Sequence, residues 1–232
     1  GNAGAVATAT ASEEGASVIL LQKIESVYSH GFVFTAIGSK MQQEMGYDVN
    51  GWEIVGDMNR ETGCNLGKWD VLGNWVNYSG NLADWIVDRF GETKYGPFII
   101  EDPVAPSEHW NRSFKTTFIP VGEMIGTGTM MTLATELVND AVARGNTEVR
   151  YNTPAVQLRQ DESGRVTGVI AQTEAGDYIL CNAKKGVILA AGGYEGNPEM
   201  RAEYLPQADG LESAYTRPDV TTGDGILMGM WA

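Results

Sequence analysis

One apolar segment near the carboxyl end constrains the fold of this chain more than any other feature. Residues 186–193 read Gly-Val-Ile-Leu-Ala-Ala-Gly-Gly, without a polar side chain. A strand with one solvated face alternates apolar and polar residues, whereas a strand covered on both faces of a parallel sheet is continuously apolar. The segment therefore predicts a buried strand of a parallel sheet, and with it an α/β fold.

The hundred residues around this segment show a regular order of further elements. Gly-Thr-Gly at 126–128 leads into a helix that ends at Gly145 and carries one apolar face, consisting of Leu133, Leu137, Val138 and Ala141. A strand at 149–151 follows. Three strands at 155–159, 165–172 and 178–181, joined by turns at 161–164 and 174–177, predict an antiparallel meander. Beyond the apolar segment, Asn197 and Pro198 predict the start of a short helix that ends at 205–206.

Both ends of the chain lie inside expected elements. The amino end reads Gly1, Asn2, Ala3, Gly4, followed by an Ala-rich helix to Ala11 and an apolar strand at 17–21. Gly1 and Gly4 have the spacing of the second and third glycines of a dinucleotide-binding G-x-G-x-x-G turn. Gln22 stands where that motif has an acidic residue. A helix that merely begins with glycines is the alternative interpretation.

The middle of the chain is less regular. Residues 24–66 predict loops and short helices. Ser79 is predicted to be the N-cap of a helix that carries Leu82, Trp85, Ile86 and Phe90 at helical spacing. Residues 91–120 contain four prolines and predict a long irregular excursion.

Composition excludes several functional classes. The 232 residues include 16 Lys and Arg against 30 Asp and Glu, a net charge of -14 that repels nucleic acid and anionic lipid. No apolar run approaches the ~20 residues of a membrane helix. Cys64 and Cys181 form no CxxC pair, and no metal-ligand cluster or Ser/His/Asp set is present. The chain is expected to bind neither nucleic acid nor metal and to have no membrane span.

Three motifs in a fixed order carry a family resemblance. They are Gly-Arg-Val-Thr-Gly-Val at 164–169, Lys-Gly-Val-Ile-Leu-Ala-Ala-Gly-Gly-Tyr at 185–194 and Thr-Gly-Asp-Gly at 222–225. The chain resembles the FAD domain of flavoproteins related to soluble fumarate reductase, a group with urocanate reductases and ketosteroid dehydrogenases. The resemblance implies an α/β, FAD-binding, Rossmann-like three-layer domain with a parallel sheet and an antiparallel β-meander, truncated at both ends.

The resemblance also divides the chain and assigns its site. Residues 1–23 would be a partial βαβ dinucleotide motif, 24–125 an irregular and helical excursion, and 126–232 the helix, meander, apolar strand and Thr-Gly-Asp-Gly motif. The capping, substrate-binding domain would be absent. The residues implied to contact FAD are Gly1, Asn2, Ala3 and Gly4 at the pyrophosphate, Gln22 and Lys23 at the adenosine ribose, Ala155 and Val156 at the adenine, Ala190, Ala191, Gly192 and Gly193 beneath the cofactor, and Thr222, Gly223 and Asp224 toward the flavin. Ser29, His30, Gly31 and Gly38 would lie at the phosphates and the flavin ring, although this chain departs from the family pattern there.

Simpler interpretations stand beside several of these assignments. Gly192 and Gly193 also fit an ordinary turn after a strand, and Asp224 fits a helix N-cap. His30 and His109, the only histidines, fit loop or packing positions, and the six tryptophans fit core or loop anchors.

The reaction that the resemblance implies is hydride transfer between flavin N5 and a carbon-carbon double or single bond of a small-molecule substrate, most often an α,β-unsaturated carboxylate. The chain ends seven residues after Gly225, so no catalytic residue is assigned, and this chain alone is expected to be inactive. Two other classes remain open: a stand-alone nucleotide-binding or interaction module, and an NAD(P)-binding unit. The redox partner and the cellular compartment are not determined by the sequence.

Overall fold

The computed structural model describes residues 1–31, 33–61, 68–101, 114–123, 128–208, 210 and 217–232. The chain divides into two compact units, the first formed by Gly1–His30 and Met131–Ala232 and the second by Gly31–Met130. The helices are α1 (Asn2–Glu13), α2 (Lys40–Glu44), α3 (Gly51–Glu61), α4 (Trp69–Phe90), α5 (Thr129–Ala143), α6 (Pro198–Tyr204) and α7 (Asp224–Trp231). The strands are β1 (Val18–Leu21), β2 (Phe34–Thr35), β3 (Phe98–Glu101), β4 (Thr117–Pro120), β5 (Thr147–Arg150), β6 (Ala155–Gln160), β7 (Val166–Gln172) and β8 (Tyr178–Asn182).

The first unit contains the parallel pair β1 and β5, in register from Val18 opposite Thr147 to Leu21 opposite Arg150. Helix α1 packs on β1 and buries the small side chains of Ala5 and Ala9, which allow helix and strand to approach closely. The predicted helix and strand at the amino end are thus confirmed.

The predicted meander is also confirmed. Strand β7 pairs antiparallel with β6 on one side and with β8 on the other. Helix α5 buries the four apolar residues expected on its inner face, Leu133, Leu137, Val138 and Ala141. Gly145 adopts a φ of 80° after its end, a left-handed conformation that favours glycine. Asn197 caps α6 through a hydrogen bond from the backbone N–H of Met200 to its side chain.

The prediction of a buried strand at 186–193 is wrong for this structure. The segment forms no strand, and Ile188 and Leu189 are 70% and 44% exposed. A strand requires a neighbour that accepts and donates ladder hydrogen bonds, and among the described residues no strand pairs with this segment. Apolar character alone therefore did not produce pairing or burial.

The second unit has its own sheet, in which β4 lies between β2 and β3 and pairs antiparallel with both. Its core gathers Ala36, Ala83, Ile100 and Phe118, and the ring of Phe34 stacks on that of Phe118 at a centroid distance of 5.1 Å. The irregular excursion expected over 91–120 is therefore partly wrong, because β3 and β4 pair across it. Among the described residues, no helix combines the length and apolar character that crossing a membrane requires.

Ser79 is not an N-cap. Helix α4 begins ten residues earlier, at Trp69, and Ser79 lies buried within it. Its hydroxyl accepts a hydrogen bond of 3.0 Å from the backbone N–H of Ile37. The next residue, Gly80, packs so closely on the backbone of 37–38 that an added Cβ would lie 2.5 Å from the carbonyl oxygen of Ile37. The Ser-Gly pair thus serves a close contact inside the second unit rather than a helix start.

Candidate functional site

An open cleft of about 1200 Å³ lies in the first unit. Its lining includes β1 with the two residues that follow it, Gln22 and Lys23, and also residues 181–193. The amino end of α1 and the start of α7 also line it, and hydrogen bonds from Ser29 to Asn2 and from Lys23 to Asp224 place both beside the segment that follows β1. In open α/β sheets, ligands bind outside the carboxyl ends of the strands, so this end of the cleft is the candidate site.

Helix α1 presents its first turn to the cleft. Gly1 is the N-cap residue, and no side chain caps the helix there. The first helical hydrogen bond runs from the N–H of Ala5 to the carbonyl of Gly1 at 3.0 Å, so the N–H groups before Ala5 have no intrahelical acceptor. Ser29 donates a 2.6 Å hydrogen bond to Oδ1 of Asn2 and thereby anchors the loop after β1 beside this turn. The arrangement suits an anion, since backbone N–H groups and the helix dipole both favour negative charge.

The end of β1 is linked to the start of α7 through Lys23. Its ammonium group donates hydrogen bonds of 2.6 Å to Oγ1 of Thr222 and 3.0 Å to Oδ2 of Asp224. Thr222 in turn donates to Oδ1 of Asp224 at 2.8 Å. Sequence reasoning placed Lys23 and Asp224 at opposite ends of the cofactor, whereas the structure brings them into one cluster.

Gln22 uses its side chain locally. Its amide nitrogen donates to the carbonyl of Ser26 at 3.0 Å, and its amide oxygen accepts from the N–H of Lys23 at 3.1 Å. These bonds shape the turn after β1.

The Thr-Gly-Asp-Gly motif packs directly on the Ala-Gly-Gly segment. The N–H of Gly223 donates to the carbonyl of Gly193 at 2.9 Å. A Cβ added to Gly225 would lie 2.8 Å from Cβ of Ala191, so the helix can approach only because residue 225 lacks a side chain. Some glycines of these motifs, such as Gly225, are therefore needed for the packing of α7 on residues 191–193, independently of any ligand in the cleft.

Two further polar side chains, not singled out by the sequence, stand at the same end of the cleft. The carboxylate of Glu195 lies over Gly193, where an added Cβ would be 2.6 Å from either carboxylate oxygen. Its Oε2, and Oγ1 of the neighbouring wall residue Thr221, are buried without a hydrogen-bond partner in the described part of the chain. The only sequence signal for Glu195 is a charged residue two positions after a glycine pair.

Most of the expected contact residues line the cleft. They are Gly1, Asn2, Ala3, Gly4, Gln22, Lys23, Ser29, His30, Ala155, Ala190, Ala191, Gly192, Gly193 and Asp224. Thr222 and Gly223 do not line the cleft themselves, but they bond to the lining residues Lys23 and Gly193. Val156 lies at a β-bulge between β6 and β7. Gly31 and Gly38 belong to the second unit, where the carbonyl of Gly31 accepts from the N–H of Met130. His109, Cys64 and residues 126–127 lie outside the described residues.

The charge of the cleft differs from that of the whole chain. Its lining includes Lys23, Lys184 and Lys185 against the carboxylates of Glu195 and Asp224, although the chain carries a net charge of -14. A locally balanced lining allows an anionic ligand to approach an acidic protein.

A second ion cluster holds the segment before α7 to the loop after β1. Arg217 donates to Asp219 at 2.9 Å and to Glu25 at 3.4 Å. The hydrogen bond from Arg217 holds the pKa of the Asp219 carboxyl below its usual range. The pKa of Glu25 is also lowered, first by a backbone hydrogen bond and then by Arg217.

Comparison with known proteins identifies relatives over nearly the whole chain. The urocanate reductase of Eggerthella lenta is 29% identical in an alignment 248 positions long, which covers 98% of this chain and 36% of that protein. The structure of a 3-ketosteroid-Δ4-(5α)-dehydrogenase from Rhodococcus jostii RHA1 superposes with a TM-score of 0.77 at 22% identity, covering 99% of this chain and 51% of that one. A flavocytochrome c3 fumarate reductase superposes with a TM-score of 0.71 at 22% identity, covering 98% and 38%.

The chain thus spans between about a third and a half of the length of these proteins. The family model described as an FAD binding domain matches residues 1–232. The resemblance seen in the sequence is confirmed: the chain belongs to the FAD-binding domain family of flavin oxidoreductases.

Proposed function

We propose that this chain is the FAD-binding portion of an oxidoreductase that transfers hydride between flavin N5 and a carbon-carbon double or single bond of a small substrate, an unsaturated carboxylate. The observation that carries the proposal is the uncapped first turn of α1 at the carboxyl end of β1, inside a cleft large enough for a dinucleotide. The names of the relatives support the substrate class, since they include a urocanate reductase and a fumarate reductase.

The residues at this end of the cleft fit FAD. The first-turn amides of α1 would bind the pyrophosphate, and Gly1 and Gly4 would leave room for it because they lack side chains. Gln22 and Ala155 would lie along the adenosine, and the backbone of 190–193 would run beneath the cofactor. Lys23 would keep Asp224 oriented and partly neutralised through their 3.0 Å ion pair.

When bound, FAD supplies two-electron chemistry at flavin N5. The described residues of this chain would bind and orient the cofactor and shield one side of it from water. We assign none of them as the proton donor to the substrate, and we propose that this chain alone does not catalyse the reaction.

The central test is FAD binding by the purified chain. We expect an absorbance band near ~450 nm, a property of bound flavin, to remain after gel filtration with added FAD. A chain that stays colourless would contradict the proposal. If such a chain instead bound NAD(P), measured by calorimetry, the NAD(P)-binding alternative would hold, and binding of neither would favour an interaction module.

Asn2→Asp tests the placement of the pyrophosphate. Aspartate keeps the acceptor for Ser29 and adds a negative charge at the start of α1, where the helix dipole favours it. Folding should therefore be unimpaired, whereas repulsion of the pyrophosphate should weaken FAD binding by about tenfold. Gln43→Glu makes the same charge change at an exposed position outside the cleft lining and should leave the dissociation constant unchanged. Equal affinities in both variants would argue against this binding mode.

Turnover by the chain alone is tested with reduced cofactor. After dithionite reduction under anaerobic conditions, the FAD-loaded chain is mixed with fumarate or urocanate and flavin reoxidation is followed. We expect no reoxidation above that of free reduced FAD. Faster reoxidation would show that a substrate site is complete within these residues.

A further inference from the structure

Two buried polar atoms of cleft-lining residues have no hydrogen-bond partner in the described part of the chain. They are Oε2 of Glu195 and Oγ1 of Thr221. Thr221 is only 9% exposed, and both residues belong to the cleft lining. Buried polar atoms in folded proteins are almost always hydrogen-bonded, and exceptions call for a ligand or another explanation. Within the described part of the chain, Glu195 and Thr221 are the two cleft-lining residues that carry such an atom.

A backbone hydrogen bond brings the chain at Glu195 and Gly196 next to Thr221. The N–H of Gly196 donates to the carbonyl of Thr221 at 2.8 Å, which joins the turn after 192–193 to the segment before α7. The N–H of Asn197 donates to the carbonyl of Tyr194 at 2.9 Å and tightens the same turn. Gly193 completes the arrangement, because a side chain there would displace the Glu195 carboxylate.

The chemistry of the pair selects its ligand. A carboxylate repels phosphate and accepts hydrogen bonds from neutral donors such as hydroxyl groups. The nearby cation Lys23 is already bonded to Thr222 and Asp224. A hydroxyl that donates to Glu195 and accepts from Thr221 would satisfy both atoms together. Within a flavin dinucleotide, hydroxyls of this kind occur on the ribityl chain and on the adenosine ribose.

We infer that Glu195 and Thr221 form a hydroxyl-binding pair for the bound cofactor. Glu195 accepts a hydrogen bond from a polyol hydroxyl, and Thr221 donates one to the same group. The inference rests on the proposed FAD binding and adds two binding residues beyond the expected set.

The test compares FAD dissociation constants, measured by quenching of flavin fluorescence, for the wild-type chain, Thr221→Val, Glu195→Leu and Glu195→Gln. Thr221→Val and Glu195→Leu should each weaken binding by about tenfold, the cost of one hydrogen bond to a charged or buried group. Glu195→Gln keeps an acceptor oxygen and should lose less than Glu195→Leu. Glu199→Gln removes the charge of an exposed glutamate in α6 and serves as the matched control.

Thermal unfolding gives a second readout that separates binding from folding. Thr221→Val removes an unpartnered buried hydroxyl, so without FAD it should unfold at the same temperature as the wild type or higher. With saturating FAD, its upward shift should be smaller than that of the wild type. A purely structural role for Thr221 would instead lower the unfolding temperature in both conditions.

Two fragments of the cofactor distinguish the source of the hydroxyl. If it belongs to the ribityl chain, Glu195→Leu weakens FMN binding and spares ADP; if it belongs to the ribose, the pattern reverses. FAD affinities of Thr221→Val and Glu195→Leu within twofold of the wild type would overturn the inference and leave FAD binding standing. A wild-type chain that binds no FAD would overturn both.

Discussion

The substitution Gln42→Glu is predicted to destabilise the second unit severely, although it changes one NH₂ group to an oxygen. Gln42 is 1% exposed. Its Nε2 donates to the carbonyls of Ala36 at 3.0 Å and Lys115 at 2.7 Å, while its Oε1 accepts from the backbone N–H of Ser39 at 3.0 Å. Glutamate keeps the acceptor and the size but points a second oxygen at two carbonyl oxygens.

The magnitude follows from the two carbonyls left without a donor. Each buried polar group that loses its partner costs about 1 to 3 kcal/mol, so the pair should cost about 2 to 6 kcal/mol. For a unit of this size, even about 2 kcal/mol lowers the unfolding temperature by roughly 8 to 16 °C.

Tryptophan fluorescence is the appropriate assay. Five of the six tryptophans belong to the sequence of the second unit, at 52, 69, 75, 85 and 110. Thermal and urea unfolding of the whole chain, followed by this signal, should report the loss directly.

Gln43→Glu is the matched control, because Gln43 lies next to Gln42 in α2 and is exposed. Its only side-chain bond in the described structure is a 3.3 Å contact to the carbonyl of Gly38. The control should change stability by less than about 0.5 kcal/mol. If Gln42→Glu fell within the same range, the hydrogen-bond argument for Gln42 would be refuted.

Two other predictions concern the first unit. Because Arg217 lowers the pKa of Asp219 below its usual value of about 3.9, the ion cluster should stabilise the chain above about pH 5 and lose that effect as the pH falls through the lowered pKa. The difference in unfolding temperature between the wild type and Arg217→Met should therefore be constant from pH 6 to pH 8 and shrink below about pH 4; a difference that grows in acid would contradict this. The exposed apolar side chains of Ile188 and Leu189 should promote self-association of the chain. The double substitution Ile188→Lys with Leu189→Lys should therefore shift the sedimentation coefficient toward that of the monomer. An unchanged distribution of sedimentation coefficients would refute the role of this segment.

Elements whose stabilising contacts are local could be predicted from the sequence. The apolar face of α5 repeats at helical spacing, Gly145 supplies the positive φ after its end, and Asn197 caps α6 within three residues. The meander followed from alternating strands joined by short turns. In each case the residues that determine the element belong to the same segment of the chain or to segments joined by a short turn.

Elements that depend on distant partners were the ones predicted wrongly. The segment 186–193 is apolar, but strand formation depends on a neighbouring strand, and the sequence of the segment carries no information about whether one pairs with it. Ser79 has the residue type of an N-cap, yet its hydroxyl accepts from Ile37, which lies 42 residues away.

The candidate site divides in the same way. The sequence by itself determined the glycines at the start of α1 and the order of the three motifs, which were sufficient to recognise an FAD-binding domain. Only the tertiary structure decided that Lys23 pairs with Asp224 across 201 residues, and that Glu195 and Thr221 both line the cleft and carry unpartnered buried atoms in the described part of the chain. The reason is physical: a hydrogen bond requires two groups within about 3 Å, and for groups far apart in the chain that proximity is set by packing.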